Sequence, residues 1–425
     1  MDRKKSGPLA LITLVGFGLV GCVGEPESAR PGAGIPRALD AGRVRIENDL
    51  QALSARVEHM SIPLTVGPKS PTGAQVADKP SERLLGVRLT QVASIESPVV
   101  DGQRVQANDI DIRDHIALVT FNVGGDPFKG AVQVIDFGRP DHPDLVSEVQ
   151  YSDADANAVV MLGSQVFIGL ASDDPALSSP AVVQELKFTS GIGLESTTNW
   201  LDLPSWAVTD LALNGDVLVA GVGAQDGGLV TMQRSGLAML HFAPAYDVRG
   251  VAFGDGNHVM SVCGGAPAHV MSNDATTLAQ EASVAATGYS QEYAKGTIEW
   301  AGGYCYLGAG DGGFQVRSST GELEAQLSNS DLAASAGTAD CVVNAASVAK
   351  DLAFLAAGSG GLQVVGLHRF RSDGLAAGDA DGLELLGTLS LENGSSSNMV
   401  RAGNGILVVA AGLGGVKIVQ MEFIR

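Results

Sequence analysis

GAGDGGFQV (308–316), GSGGLQVV (358–365) and GLGGVKIV (412–419) are three versions of one phrase: a glycine cluster followed by a short run alternating apolar and polar residues. The first satisfies G-x-G-x-x-G through Gly308, Gly310 and Gly313. That pattern holds a dinucleotide where it follows a strand and opens a helix whose N-terminal amides receive the pyrophosphate. Here YCYL precedes it, but FQVRS, a strand-like run, follows. Strand, glycine cluster, strand is a hairpin, with glycine supplying the positive φ of a tight turn. The phrase argues against a nucleotide site and for a turn that recurs.

The runs that precede these turns recur along the whole chain. LVTFNV (118–123), VFIGLA (166–171), VLVAGV (217–222), VMSVC (259–263), YCYLGA (304–309), LAFLAA (352–357) and ILVVAA (406–411) begin 48, 51, 42, 45, 48 and 54 residues apart. Most are preceded by another short apolar strand and a turn, as in TDLALNGDVLVAG, and followed by a glycine turn and a third strand. A period in the forties with several short strands per unit predicts an all-β fold, a β-propeller with one small sheet per unit around an axis. Seven copies predict seven blades over residues 82–425. The last copy ends after GGVKIVQMEF without the outer strand that the sixth has in LLGTLSL (385–391), and LLGVRL (84–89) is placed to supply it. The N-terminal strand then closes the ring and removes an open edge.

The first 81 residues read differently. In MDRKKSGPLALITLVGFGLVGC a basic start, Arg3, Lys4 and Lys5, is followed by an apolar run from Leu9 to Val20, too short to span a membrane as a mature helix. Residues 1–21 are an export signal, and Leu19-Val20-Gly21-Cys22 resembles the lipobox of bacterial lipoproteins, in which the cysteine becomes the lipid-bearing first residue. The resemblance implies a membrane partner held through acyl chains on Cys22. Val23 in place of an aspartate implies the outer membrane. Residues 22–81 then form a tether, with a short amphipathic helix through Ile46, Leu50, Leu53 and Val57, Asn48 as its possible cap, and a proline-bearing linker over 61–81. The formal charge is -20, and -22 once Asp2, Arg3, Lys4 and Lys5 are removed with the signal. Such a surface repels phosphate backbones, so nucleic acid is not an expected partner. Cys263, Cys305 and Cys341 lack metal-type spacing; export would permit one disulfide among them.

In the first blade VQVIDFGRPDHPDLVSEV (132–149) carries Val134-Ile135-Asp136, then Pro140 and Pro143, then Leu145-Val146. This resembles the LVIVD-repeat family of bacterial surface propellers. The full V-I-D motif stands in blade one alone, and blades two and four diverge. The resemblance implies a non-enzymatic propeller and brings no catalytic residues with it.

Asp153, Asp155 and Asn157 begin like a calcium loop, but Ala158 and Ser164 stand where glycine and glutamate are needed, which leaves a solvated turn. Asp373, Asp379, Asp381 and Glu384 fall in an acidic insertion of blade six with enough hard oxygens to make Ca²⁺ the one cofactor the sequence raises. Met260, Cys263, His269 and Met271 flank one turn with donors suited to a soft metal if strand register puts them on one face. No G-x-S-x-G elbow is present and the seven histidines are scattered. The mouth of the ring remains. Trp206, Tyr246 and Tyr293 each lie four residues ahead of equivalent inner-strand positions Asp210, Gly250 and Thr297 in adjacent blades. Asn157, Thr209, Arg249, Asn344 and Asn398 recur near the same repeat position. These residues predict a ligand-binding mouth, with the aromatics either facing the ligand or wedged between blades. The expected function is a lipid-anchored envelope module that binds a protein, peptide or glycan. The alternatives are an envelope hydrolase or lyase using the central funnel, and a structural envelope protein.

Overall fold

A computed structural model describes residues 43–67, 79–223, 225–265, 267–289, 294–338, 341–372, 382–391 and 397–424. The export signal, Cys22 and the tether before residue 43 lie outside them. Among the described residues, seven antiparallel sheets of four to six strands follow one another along the chain. Their first strands, Gln106–Arg113, Ala154–Leu162, Val208–Asn214, Val248–Phe253, Thr297–Ala301, Ala345–Ala349 and Met399–Gly403, touch in cyclic order, the last packing on the first. The chain is therefore a seven-bladed β-propeller with these strands innermost. The seven repeated runs are the second strands of the blades, each buried on both faces between neighbouring sheets. The core is a set of apolar slabs, one for each pair of facing sheets, such as Val132, Val134, Ala156 and Ile168 between blades one and two.

Closure follows the expected route with a shift in register. The outer strand of blade seven is Val87–Ile95, paired from Val87 on Phe423 to Ile95 on Val416. Residues 81–85 form a short helix, which ends at Gly86 in the left-handed conformation.

The glycine phrase is explained by what its turn touches. Gly310 and Gly313, Gly358 and Gly361, and Gly412 and Gly415 all have positive φ. Each turn is tied by the same pair of main-chain bonds, as in Ala309 N–H to Gly313 and Gly312 N–H to Ala309. Its backbone then reaches the segment entering the next blade. Gly310 exchanges two hydrogen bonds with Val343, Gly358 does the same with Ser397, and Gly412 accepts from Ala107 across the closing seam. A side chain at Gly313 or Gly415 would also run into a carbonyl oxygen.

The polar position after the glycines is not solvated, although the alternation in FQV, LQV and VKI reads that way. Gln315 and Gln363 are fully buried and Lys417 nearly so, as are Gln133 and Gln184 in the first two blades. Gln315 donates to Thr287, Gln363 to the Leu332 carbonyl and Gln133 to the Glu96 carbonyl, so each holds the link that leads into its own blade. Arg317, 2 % exposed, donates to Gln315 and to the Gly321 carbonyl. Each of these side chains has a partner for at least one polar atom, which offsets part of the cost of burial, while Gln133 Oε1, Gln184 Nε2 and Gln363 Oε1 are buried without one.

The reading of residues 22–81 as a tether needs correction over its described part. Val44–Glu47 adds a strand to the outer edge of blade one, Val57–Pro63 to blade seven and Thr65–Gly67 to blade six. The segment is a strap around the rim, running backwards over three blades. The helix exists but is one turn long, Leu50–Ser54, and Ile46 and Val57 lie in the flanking strands. Its cap is Asp49, whose carboxylate accepts from Gln51 and Ala52 N–H. Asn48 instead donates to the Leu194 carbonyl and accepts from Ser147, joining blades two and one. Outer edges of a propeller are open ladders, and an alternating segment that can pair with them outcompetes an isolated helix. Leu53, Leu64 and Val66 are buried in the slabs beside blade seven, and Arg56 pairs at 2.7 Å with the buried Glu148 of blade one.

Candidate functional site

All seven inner strands run the same way along the axis, so the ring has an entry end, where they begin, and an exit end. Each end holds a depression. The entry depression, about 430 Å³, is bordered by Asn108, Asn122, Asn157, Thr209, Arg249 and Lys295 among others. The exit depression, about 380 Å³, is bordered by Leu213, Phe253, Trp300, Asp111, Glu299 and Arg401 among others.

The inner strand of each blade has a free edge toward the axis, and its N–H and C=O groups need partners. Side chains of neighbouring blades supply them. Asp109 accepts from Val159 N–H at 3.0 Å and Asp111 from Met161 N–H at 2.9 Å, linking blade one to blade two. Asp210 accepts from Val251 N–H at 2.8 Å, linking three to four. Glu299 accepts from Val348 N–H at 3.0 Å and from Ser347, linking five to six, and Ser347 accepts from Ala402 N–H of blade seven. Cations cross the channel between these carboxylates. Lys295 Nζ reaches from blade five to the Asn108 carbonyl (2.8 Å) and Asp109 (3.3 Å) of blade one. Arg401 of blade seven pairs with Glu299 at 2.8 Å. Burial opposes the charge on Arg401, but Glu299 and the aspartates outweigh it and hold the guanidinium above its usual pKa. Burial raises the Asp111 carboxyl. Asp210 is pushed up to about 7, by burial first and by the Asp109 charge second. Asp210 is half-buried, between the inner strands of blades three and four.

Against this geometry the predicted mouth divides. Asn157 and Arg249 border the entry depression. Asn157 accepts from Asn122 through its side chain and from Asn108 through its carbonyl. Arg249 lies between Asp247, 2.8 Å away, and the Ala294 carbonyl, with its guanidinium 5.3 Å from the Tyr289 ring centre. Trp206 is 65 % and Tyr246 50 % exposed, so neither ring is wedged between blades. Three positions need correction. Asp210 is not at the rim, because its carboxylate turns down the axis to cap the Val251 N–H. Asn344 and Asn398 do not border the depression either. Asn344 accepts from Lys295 N–H and Asn398 donates to the Ala107 carbonyl, so both act as ties between blades. Tyr293 lies outside the described residues, as do Asp373, Asp379 and Asp381 of the acidic loop; Glu384 opens the outer strand of blade six, exposed and 3.4 Å from His368.

Two further readings are revised. Asp155 is no solvated turn residue, being 3 % exposed and accepting from Val123, Gly125 and Lys129 N–H, and so shaping the loop at the entry rim. Cys263, His269 and Met271 do share one face through the pairs Cys263–His269 and Ser261–Met271, with Met260 on the other. Cys263 and Met271 are core residues there, and burial pushes the Cys263 thiol to about 12. All three cysteines are buried thiols, not a disulfide and a spare. The sequence reading passed over Asn108, Asn122, Asp247 and Lys295 at the entry and Phe253, Trp300, Glu299 and Arg401 at the exit. The signal that would have found several of them is their place just before or within the inner strand of each repeat.

No protein-family model matches the chain, and no curated protein matches it in sequence. Solved structures match its fold. A chain of a mitotic checkpoint complex shares 14 % identity at a TM-score of 0.53, over 76 % of this chain and 96 % of that one. The WD40 β-propeller domain of Doa1 shares 12 % at 0.50, over 77 % and 97 %. The computationally designed Ika8 protein shares 15 % at 0.43, over 85 % and 98 %. At such identities the likeness is one of fold alone.

Proposed function

We propose that this propeller is a non-enzymatic binding module of the cell envelope, held at the membrane by lipid on Cys22, that takes a peptide segment or glycan at the entry mouth. The observation that carries the reading is the pairing of a polar, amide-rich depression with two exposed aromatic rings, Trp206 and Tyr246, on the loops that lead to it. Amide groups of Asn108, Asn122 and Asn157 offer donors and acceptors to a polar chain. Exposed rings offer large apolar contact at low entropic cost. The resemblance of blade one to the LVIVD-repeat propellers supports a non-enzymatic role.

The test is binding to glycan and peptide arrays by the wild type, Trp206→Ala and Tyr246→Ala. Loss of the bound set, at a cost of about 2 kcal/mol or more for a true anchor, with melting temperatures unchanged, is the expected result. Equal binding by all three proteins, or a large loss of stability in the variants, would overturn it. The envelope hydrolase or lyase is favoured by one observation, the raised pKa of Asp210 beside Asp109. Both carboxylates hold backbone amides and neither borders the entry or the exit depression. Turnover of a bound array member, lost on Asp210→Asn while binding persists, would decide for that alternative.

A further inference from the structure

His59, His142 and Asp144 come together from opposite sides of the seam where the ring closes. His59 sits in the strap strand Val57–Pro63, opposite Ala93 of blade seven and next to an irregularity in the pairing. His142 lies in the turn between the third and outer strands of blade one, and Asp144 begins that outer strand. The turn is closed by His142 N–H to the Arg139 carbonyl and framed by Pro140 and Pro143, whose fixed φ leaves it little freedom. One donor atom from each of the three residues falls within 4.8 Å of the others. The two imidazole rings are stacked, 3.6 Å between centres and 22° apart.

We propose that these three side chains form a site for a divalent transition ion of the zinc type, which staples the strap to blade one across the closing seam. Two imidazoles and one carboxylate are ligands such an ion takes, with a fourth position left to water on the solvent side. Ligand atoms around one tetrahedral ion with bonds of about 2.0–2.1 Å lie roughly 3.3 Å apart, so the rings must open from the stack and draw in by an ångström or so. Nothing opposes that movement strongly. The His59 side chain makes no hydrogen bond among the described residues, and His142 and Asp144 are held mainly by Arg139. The guanidinium stands 3.3 Å from His142 Nδ1 and 2.8 Å from Asp144 Oδ2, a cation where the ion would sit. Its side chain is 65 % exposed and can swing into solvent. The strongly acidic surface concentrates cations at such a position.

The site separates from a mere stack with an ion pair through Arg139. The full chain, freed of metal with a chelator, is titrated with Zn²⁺ by calorimetry, and its melting temperature is followed with and without the ion. One ion per chain is expected. His59→Gln and His142→Gln should each weaken binding about tenfold or more, since even the loss of a partner one shell further out costs that much. Arg139→Gln should bind Zn²⁺ at least as tightly as the wild type, because a competing cation is gone. Zn²⁺ should raise the melting temperature of the wild type and not of the histidine variants. His258→Gln, at a surface pair with Glu281, is the control and should change nothing. Absence of saturable binding, binding that survives both histidine substitutions, or weaker binding by Arg139→Gln would each overturn the proposal. All four positions are on the surface, so the variants should fold.

Discussion

Asp210→Asn weighs the charged axis most directly. The carboxyl has a raised pKa, about 7 in the folded protein against an ordinary 3.8. The folded state therefore keeps its proton to higher pH than the unfolded chain does, and ionisation costs stability. The cost is absent below the unfolded value, grows as pH rises and is complete above the folded value. At about 1.4 kcal/mol per unit the full shift amounts to about 4 kcal/mol, and because the residue is only half-buried solvent screening lowers this to about 2–4. Asparagine has no proton to lose, so it escapes that cost at every pH. It also offers one acceptor where the carboxylate serves two main-chain groups, Val251 and Leu211 N–H. The mismatch costs about 1–3 kcal/mol at any pH. The difference between variant and wild type should thus move in favour of asparagine by about 1–3 kcal/mol between about pH 5 and about pH 8. Thermal or denaturant midpoints of both proteins at the two pH values measure it. Subtracting one protein from the other cancels the remaining carboxylates, which titrate in both. A difference that stays constant with pH, or moves against asparagine, would refute the claim that this carboxyl is held neutral by its surroundings.

Gly313→Ala and Gly415→Ala drive a Cβ into the Leu327 and Ile95 carbonyl oxygens at positive φ, so each should cost about 2–4 kcal/mol. Gly303→Ala, at φ +84 but with open space around it, should cost only about 1–2 kcal/mol, and equal losses by calorimetric melting would show that the turn does not depend on close approach. Leu64→Ala, in the strap and 2 % exposed, should lose about 2–5 kcal/mol, and deletion of residues 43–67 should lower the melting temperature and promote aggregation; tolerance of both would mean the strap is dispensable to the ring. Cys22→Ser should leave the protein unprocessed or move it to the soluble fraction, and unchanged membrane partition with unchanged fatty-acid labelling would defeat the lipid anchor.

The blades were legible because their signal is repeated. One run such as VLVAGV is ambiguous, but seven at a period in the forties can be satisfied together by a ring of small sheets. The missing outer strand of the last copy pointed to LLGVRL (84–89) for the same reason, a counted unit short by one strand, and the strand that fills the place, Val87–Ile95, overlaps it only in part. The strap carried no such redundancy. Ile46, Leu50, Leu53 and Val57 fit a helix locally, and what overrides that fit is three open outer edges elsewhere in the ring.

The mouth shows why recurrence near an axis is poor evidence for a ligand. Any ring of sheets leaves an inner edge of unpaired amides on each blade, and those edges must be satisfied whatever the protein binds. Asp109, Asp210, Glu299, Asn344 and Asn398 recur because that need recurs, and each is used up by a neighbouring blade. Groups left to a ligand are those that the repeat does not require: Trp206 and Tyr246, which pack between no blades, and whichever amide atoms of Asn108, Asn122 and Asn157 their ties across the entry rim leave over. The same distinction sets His59 and His142 apart, since no blade needs a stacked pair of imidazoles at its edge. In a repeat protein the residues that break the repeat without serving it are where binding chemistry is to be sought.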